Sequence, residues 1–199
     1  MLGILFKDKA VPVGARKTLF EDLMEKTHRQ AYGLAYRLTG NQAEAEDLVQ
    51  ETFIRAFRFF HRYDESLPFT NWLYRIMTNA HIDLVRRRGR LKTTSLEQPS
   101  ATGLATIEIP DCDASPDRTM MEQSMGDDVQ SALTNMTPEF RTAVLLADVE
   151  GMAYEEIAEA MSTSVGTVRS RIHRGRKQLR RMLVKNDPAR YGGMISNDL

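Results

Sequence analysis

Apolar side chains recur at three- and four-residue steps along most of this chain, the spacing that places them on one face of an α-helix. The pattern predicts a helix over residues 16–39 that stops at Gly40. Asn41 with Glu44 three residues on resembles a capping box and predicts a second helix that runs to about residue 60. No stretch shows a convincing two-residue alternation, so we expect an all-α fold.

A third helix is predicted over residues 72–88, after a loop at 61–70, with Thr70 or Asn71 as its N-cap. Helices of this length gain stability by packing on one another, so residues 16–90 are predicted to form one compact helical domain. The side chains predicted to fill its core are Phe20, Leu23, Ala31, Leu34, Ala35, Leu38, Ala45, Leu48, Val49, Phe53, Ala56, Phe57, Leu73, Ile76, Met77, Ala80 and Leu84.

The rest of the chain divides by composition. Residues 1–15 are predicted to be an N-terminal tail, and residues 91–116, rich in Pro, Ser, Thr and Asp without helical periodicity, a flexible linker. Residues 117–185 are predicted to form a second domain, and residues 186–199 a frayed C-terminal tail. The four helices predicted for the second domain cover about 117–135, 138–150, 153–161 and 164–184.

Residues 164–177 are predicted to be the second helix of a helix-turn-helix. The helix predicted just before them is short and amphipathic, and residues 162–164 supply a tight turn with N-cap chemistry. One side of the second helix is built to pack and carries Val165, Val168, Ile172, Gly175 and, further on, Leu179. The opposite side carries Gly166, Arg169, Ser170, His173, Arg174 and Lys177.

Such a basic amphipathic helix can also be a solvated face, or a surface for a membrane or a partner protein. Residues 166–185 carry eight Lys or Arg and no acidic residue, which favours a helix that enters the major groove of DNA.

Charge and composition further restrict the chemistry and the location expected of the protein. The chain has 27 basic and 27 acidic residues, but residues 95–128 alone hold eight acidic residues and one basic residue. The single cysteine, Cys112, excludes an internal disulfide and a cysteine-rich zinc site and fits a reducing compartment. No apolar run approaches a transmembrane span. We expect a cytoplasmic protein without metal, cofactor or membrane contact of its own.

Three segments, in this order, carry a family resemblance: Asp47-Leu48-Val49-Gln50-Glu51-Thr52-Phe53, Phe69-Thr70-Asn71-Trp72-Leu73-Tyr74-Arg75-Ile76 and Val165-Gly166-Thr167-Val168-Arg169-Ser170-Arg171. Together they resemble the extracytoplasmic-function (ECF) sigma factors of bacterial RNA polymerase, group IV of the sigma-70 family, over about residues 16–185. The resemblance implies a region 2-like bundle of three to four helices, a flexible linker and a region 4-like four-helix domain with the helix-turn-helix. It also implies a transcription initiation factor with no catalysis of its own.

The resemblance implies three binding surfaces. An acidic, hydrogen-bonding face of the second helix would contact the largest-subunit coiled coil of core RNA polymerase, whose flap region is a further partner; it comprises Glu46, Asp47, Gln50 and Glu51. The −10 promoter element, as single-stranded DNA, would be bound by Tyr63, Tyr74, Arg75, Asn79, Arg86, Arg87 and Arg88. The −35 element, as duplex, would be bound through base edges by Arg169, Ser170, His173 and Arg174 and through phosphates by Thr167, Arg171, Arg176 and Lys177.

Aromatic side chains beside a basic track suit unpaired DNA, because bases stack on aromatic rings while cations neutralise the phosphates. Phe53, Phe57 and Trp72 are expected in the core, Phe60 and Phe69 can be either core or contact, and Tyr63 and Tyr74 are expected to reach DNA. The acidic helix face can equally be a solvated surface. The acidic linker, with Asp111, Asp113 and Asp117, can mimic nucleic acid in the polymerase cleft or can be merely soluble.

The resemblance further implies a role in a stress response and an anti-sigma factor as a partner, without obligate homo-oligomerisation. Two rivals remain: a dimeric helix-turn-helix regulator that binds a palindrome without polymerase, and a helical adaptor whose basic helix binds a protein or membrane. An enzyme is disfavoured, because the chain has no P-loop and its four histidines lie scattered without ligand partners at useful spacing.

Overall fold

Two helical units make up the part of the protein that its computed structural model describes, residues 13–93 and 126–193, and no strand occurs in either. The first unit comprises α1 (Val13–Thr39), α2 (Gln42–Phe59), a 3-10 turn (Phe60–Arg62) and α3 (Phe69–Thr93). The second comprises α4 (Asp127–Thr134), α5 (Pro138–Val144), a π turn (Leu145–Val149), α6 (Tyr154–Ala160), α7 (Val165–Asn186) and α8 (Pro188–Tyr191). The all-α fold with two helical domains is confirmed.

The turn between α1 and α2 follows the sequence prediction. Gly40 has a φ of +72°, a left-handed conformation that glycine adopts without steric penalty, and its N–H donates to the Tyr36 carbonyl at 2.7 Å. The Asn41 Oδ1 accepts from the Glu44 N–H at 3.1 Å, which confirms Asn41 as the N-cap of α2. The Glu44 carboxylate accepts instead from Arg88 Nη1 at 2.7 Å.

Helix α3 begins at Phe69, three residues before the predicted start. The predicted cap at Thr70 or Asn71 is therefore wrong, because both residues lie inside the helix. The Pro68 carbonyl accepts from the Asn71 N–H at 3.2 Å, so the chain enters the helix directly after proline. The freed Asn71 side chain reaches the second domain.

The predicted core of the first domain is confirmed at most positions, and Leu34, Leu38, Leu73 and Met77 are completely buried. Phe57 is the exception: it is 48% exposed, so its assignment to the core is wrong. Its ring lies on the outer side of the buried Phe20, with centroids 5.2 Å apart. Leu23, Ile76 and Leu84 are half-buried.

The turns of the second domain are fixed by backbone geometry. The π turn ends as the Glu150 N–H donates to the Leu145 carbonyl at 3.0 Å. Gly151 then takes a φ of +66°, and the Met152 N–H reaches back to the Leu146 carbonyl at 3.0 Å, which closes the helix C-terminus.

The C-terminal segment after α7 differs from the prediction of a frayed tail. The Asp187 side chain caps α8, accepting from the Arg190 N–H at 3.0 Å. Tyr191 is buried against Leu183 and Ala132, and its hydroxyl bonds the Asp128 carboxylate. Residues 187–191 therefore belong to the second domain.

The two domains share one continuous apolar core in this structure, with α3 packed against α6 and α1 against α4. At Gly40 the domains lie so near each other that a Cβ atom would be 2.3 Å from Thr134 Oγ1. Arg37 and Glu150 form an ion pair across the boundary at 3.8 Å, with side chains 15% and 14% exposed.

Candidate nucleic-acid interfaces

Helix α7 is positioned by its N-cap and by its buried stripe. The Ser164 Oγ accepts from the Thr167 N–H at 3.2 Å, which fixes the start of the helix after the turn. That turn passes through Ser162, which holds a left-handed φ of 49°. Val168 and Ile172 are completely or almost completely buried, and Val165 and Leu179 are half-buried, which confirms the predicted packing face.

Gly175 allows α7 to lie close to α5. A Cβ atom at this position would lie 2.6 Å from Val144 Cγ2 and 3.0 Å from the Phe140 carbonyl oxygen. The prediction that Gly175 serves helix packing is therefore confirmed.

The opposite side of α7 presents cations and donors to solvent. The residues exposed there are Arg169, Ser170, His173, Arg174 and Lys177, while Thr167 and Arg171 are half-exposed. Arg176 is also exposed, but it donates to the Asp148 carboxylate from both Nε and Nη2. These hydrogen bonds are the main cause of the raised pKa of Arg176. They also tie α7 to the π turn.

The loop before α3 and the start of that helix hold a cluster of aromatic rings. The Tyr63 ring lies 5.3 Å from Phe69 and 5.3 Å from Trp72, and Phe60 lies 5.6 Å from Tyr63. Phe69 is 5% exposed, which places it in the core; Phe60, Tyr63 and Trp72 are half-buried. The Tyr63 hydroxyl donates to the Leu67 carbonyl at 2.8 Å and so holds the loop in shape.

Helix α3 has an open face that continues from this cluster. At 100° per residue, Trp72, Arg75, Asn79 and Arg86 fall along one stripe. Arg75, Arg86 and Arg87 are exposed and Asn79 is half-buried, so an aromatic end leads into a basic track. Arg88 is exposed too, but it is paired with Glu44.

A second face of α3 is covered by the helix-turn-helix domain. Tyr74 is 3% exposed, so the expectation that it lies at the surface is wrong in this arrangement. Burial, followed by the charge of the Glu150 carboxylate and a hydrogen bond to it, raises the pKa of Tyr74 well above its ordinary value. Asn71 and Thr78 lie on the same face.

The acidic face of α2 is accessible. Asp47 and Gln50 are exposed, and Glu46 and Glu51 are half-exposed. Glu46 accepts from the Gln42 amide at 3.2 Å, and Glu51 pairs with Arg55 on the next turn. The face combines two accessible polar groups with two carboxylates held by neighbours on the same helix.

The domain boundary holds polar residues that the sequence analysis did not select. His81 and Arg141 are 3% and 6% exposed, and both His81 ring nitrogens and Arg141 Nε lack a hydrogen-bond partner among the described residues. Burial first, and then the charges of Arg141 and Arg88, lower the pKa of His81 to about 4. In the sequence, His81 and Arg141 are distinguished only because each is a polar residue within an apolar helix face.

Some predicted features lie outside the described residues, namely the acidic linker with Asp111, Asp113 and Asp117, and Cys112. Within the described ranges, no helix is both long and apolar enough to cross a bilayer. Nor do three His, Cys, Asp or Glu side chains in those ranges come together as metal ligands would.

Comparison with known families assigns both domains. Residues 23–91 match sigma-70 region 2, and residues 126–179 match sigma-70 region 4. Two helical sigma regions on one chain define a sigma factor of the sigma-70 class.

Known relatives place the chain within that class. It is 33% identical over 165 residues to the ECF RNA polymerase sigma factor SigW of Bacillus subtilis, covering 82% of this chain and 88% of the relative. It is 46% identical over 167 residues to the ECF RNA polymerase sigma factor SigE of Mycolicibacterium smegmatis, covering 84% of this chain but 62% of that protein's length. The chain belongs to the ECF sigma factors.

A solved structure shares the fold. The sigma factor RpoE of Bartonella quintana, in complex with the anti-sigma factor NepR, aligns with a TM-score of 0.62 at 24% identity, over 85% of this chain and 99% of that one. The similarity extends over both helical domains.

Proposed function

We propose that this protein is a promoter-specificity subunit that joins core RNA polymerase in the cytoplasm, recognises a −35 and a −10 element and promotes local DNA melting. The observation that carries the proposal is the presence of two separate DNA-type surfaces on one chain, each within a matched sigma region: the basic face of α7 and the aromatic and basic stripe of α3.

The face of α7 suits duplex DNA. Its exposed arginines project from a helix whose buried side is fixed against α5, so the side chains enter a groove from a rigid support. An arginine that binds guanine bidentately contributes about 1–3 kcal/mol of base discrimination. We assign base contacts to Arg169, Ser170, His173 and Arg174, and phosphate contacts to Thr167, Arg171 and Lys177. Arg176 is also assigned to a phosphate, but it can bind one only after its hydrogen bonds to the Asp148 carboxylate break.

The stripe on α3 suits an unpaired strand. Tyr63 and Trp72 offer partly open rings, and Arg75 and Arg86 continue the track along which phosphates would run. Stacking on such rings contributes about 1–3 kcal/mol per base. Asn79 lies on this stripe between Arg75 and Arg86 and is assigned to a polar contact with a flipped base. Arg87 and Arg88 complete the proposed −10 set, and the buried Tyr74 joins it only where the second domain moves off α3.

The acidic face of α2 is proposed as the contact with the largest-subunit coiled coil of core polymerase, with Asp47 and Gln50 as its accessible centre. An anti-sigma factor is proposed as a further partner, because the RpoE structure of the same fold contains one. Control by such a partner would link the protein to a stress response.

The test is reconstitution with core RNA polymerase and genomic DNA. We expect a stable complex with core and discrete transcripts that core alone does not produce. A protein that binds DNA as a dimer without core, or that fails to bind core, would refute the proposal. The double substitution Asp47→Ala/Gln50→Ala should weaken the complex with core while leaving duplex DNA binding by α7 intact.

A further inference from the structure

One arginine of α7 already has an anionic partner within the protein. Arg176 donates from Nε to Asp148 Oδ2 at 2.9 Å, and from Nη2 to the other oxygen of the same carboxylate. Asp148 lies in the π turn, so this ion pair joins the turn to α7. The described part of the chain offers no such carboxylate to Arg169, Arg174 or Lys177. Arg176 therefore differs from the other cations of the helix.

Arg176 lies on the proposed DNA-binding face of α7. It follows Arg169 by seven residues, which at about 100° per residue places the two side chains within roughly 20° of each other around the helix. At about 1.5 Å per residue, Arg176 lies roughly 10 Å further along the axis. Both residues are exposed. The carboxylate of Asp148 therefore lies at the edge of this face, where the phosphates of a bound duplex would run.

The ion pair occupies the part of the guanidinium that is suited to phosphate. Arginine binds a carboxylate or a phosphate through a fork of two parallel N–H groups. The Asp148 carboxylate accepts from Nε and Nη2 of Arg176, which form one such fork. A phosphate can bind this fork only when the carboxylate leaves it, so the two anions compete for one site.

The pair is open enough to solvent for this competition to occur. The side chains of Arg176 and Asp148 are 53% and 34% exposed. Ion pairs with this degree of exposure are weak, because water solvates both charges when they separate. A phosphate can therefore displace Asp148 without any opening of the core.

Helix α7 is held in place by other contacts. Ser164 caps its start by accepting from the Thr167 N–H. Val168 and Ile172 are buried, and Gly175 lies close against α5. Because these contacts already fix the helix, the ion pair is not required to hold α7 on the domain.

We propose that Asp148 is an internal competitor of DNA, which holds Arg176 away from phosphate and so weakens duplex binding by α7 whatever the base sequence. This inference rests on the proposed function and adds a residue that sets the affinity of the −35 domain for DNA. Sequence-independent binding depends on the number of phosphates that the cations of a protein neutralise. With one cation withheld, the domain binds arbitrary duplex less tightly than its exposed charge suggests.

The substitution Asp148→Asn tests the proposal in the full-length protein. The probe is a fluorescent pool of random 30-base-pair duplexes, titrated at several salt concentrations. Release of Arg176 should tighten binding about threefold, the scale of one exposed ion pair. The slope of log affinity against log salt concentration should become steeper by about 0.9, the value of one further phosphate.

Asp127→Asn is the matched control, because it removes the same charge from an exposed aspartate on α4 of the same domain. It should leave both the affinity and the salt slope at the values of the wild type. Urea unfolding of both variants separates binding from stability. A purely structural role of Asp148 predicts the opposite result for Asp148→Asn, namely lower stability and weaker binding.

Two further variants assign the effect to Arg176. In Asp148→Asn/Arg176→Gln, the tightening and the extra slope should both disappear. Arg176→Gln alone should weaken binding, because it leaves the Asp148 carboxylate unpaired beside the phosphates. It should lower the salt slope by less than half of the roughly 0.9 expected for the loss of a phosphate contact, since Asp148 holds this arginine in the wild type.

The outcomes separate this inference from the proposed function. Equal or weaker binding by Asp148→Asn overturns the competitor role, whether or not core polymerase yields transcripts. Tightening that persists in the double variant also overturns it, because the gain would then come from the lost charge alone. If Asp148→Asn does not fold, Arg176→Gln decides, and a full loss of about 0.9 in slope refutes the role. The expected binding changes without transcripts from core support the competitor but refute the sigma-factor function.

Discussion

Arg174 stands at the middle of the exposed face of α7, one residue before the glycine that seats the helix on α5. Its position on the domain is therefore fixed by the close approach of Gly175 to Val144 and the Phe140 backbone. The two adjacent residues lead to predictions of different kinds, one on recognition and one on stability.

Arg174→Ala should lower transcription from a promoter that depends on the −35 element by about tenfold, since one bidentate base contact is worth about 1–3 kcal/mol. The complex with core polymerase should be unaffected. Lys185→Ala is the matched control, because it removes the same charge about 16 Å further along the helix. An equal loss in both variants would indicate a general charge effect rather than base recognition.

Gly175→Ala should destabilise the protein by about 1–2 kcal/mol, because the new methyl group meets Val144 and the Phe140 backbone and overpacking exceeds the gain in helix propensity. Gly166→Ala should stabilise it by up to about 1 kcal/mol, since its Cβ would meet nothing closer than 3.9 Å. Urea unfolding of both variants measures the difference. The same sign for both would contradict the packing role.

At the scale of the elements, α3 carries two surfaces rather than one. Its sequence pattern predicts one buried apolar stripe, with polar residues on the rest of the helix surface. In the structure, these polar residues lie on two faces: an open face that includes Arg86, and a face covered by α6 that includes Asn71. Tyr74 shows how such a residue is misassigned. A tyrosine outside the apolar stripe suggests exposure, yet Tyr74 is buried beside Glu150 of the neighbouring domain.

The packing of α3 on α5 should depend on pH through His81. The pKa of about 4 in the folded state lies below the ordinary 6.5, so between these values the unfolded chain binds a proton that the folded chain does not. This contribution to stability is complete above pH 6.5 and is lost as the pH falls towards 4. Between pH 7 and 5.5 the free energy of unfolding should drop by about 1 kcal/mol from this group.

His81→Leu should remove that pH dependence, measured as urea unfolding at both pH values. His173→Ala, which removes an exposed histidine from α7, is the control and should retain it. An unchanged pH slope in His81→Leu would show that another group is responsible.

At the scale of the whole molecule, an ion pair joins the two domains. The Arg37 and Glu150 side chains are only 15% and 14% exposed, so neither charge is fully solvated unless the domains part. Arg37→Glu should open the molecule, because it places two carboxylates together. Small-angle X-ray scattering should show a radius of gyration several ångström above that of the wild type, for which a compact chain of this length predicts roughly 16 Å.

The charge reversal Arg37→Glu/Glu150→Arg is the matched variant and should restore much of the compact form. Because partners in contact couple by about 0.5–3 kcal/mol, the rescue should also appear as a non-additive stability. A double variant as expanded as Arg37→Glu would mean that this pair does not hold the domains together.

The sequence by itself determined the helices, the Asn41 cap, the stripe of α7 and the packing role of Gly175, because each depends on neighbours within a few turns of one helix. It also predicted the two helical domains and the class of protein. The folded segment at 187–191 and the exposure of Phe57 depend on contacts across helices, and local spacing gave them wrongly. The start of α3 was also predicted wrongly, because the helix begins directly after Pro68, whose carbonyl accepts from the Asn71 N–H.

Only the tertiary structure decided which polar residues face each other. The pairing of Asn71 with Glu156 spans 85 residues and joins two domains, and no periodicity within either helix encodes it. The same holds for Arg37 with Glu150 and for the nitrogens of His81 and Arg141 that lack partners among the described residues. Helix formation is local, whereas the meeting of polar faces is set by how the domains pack.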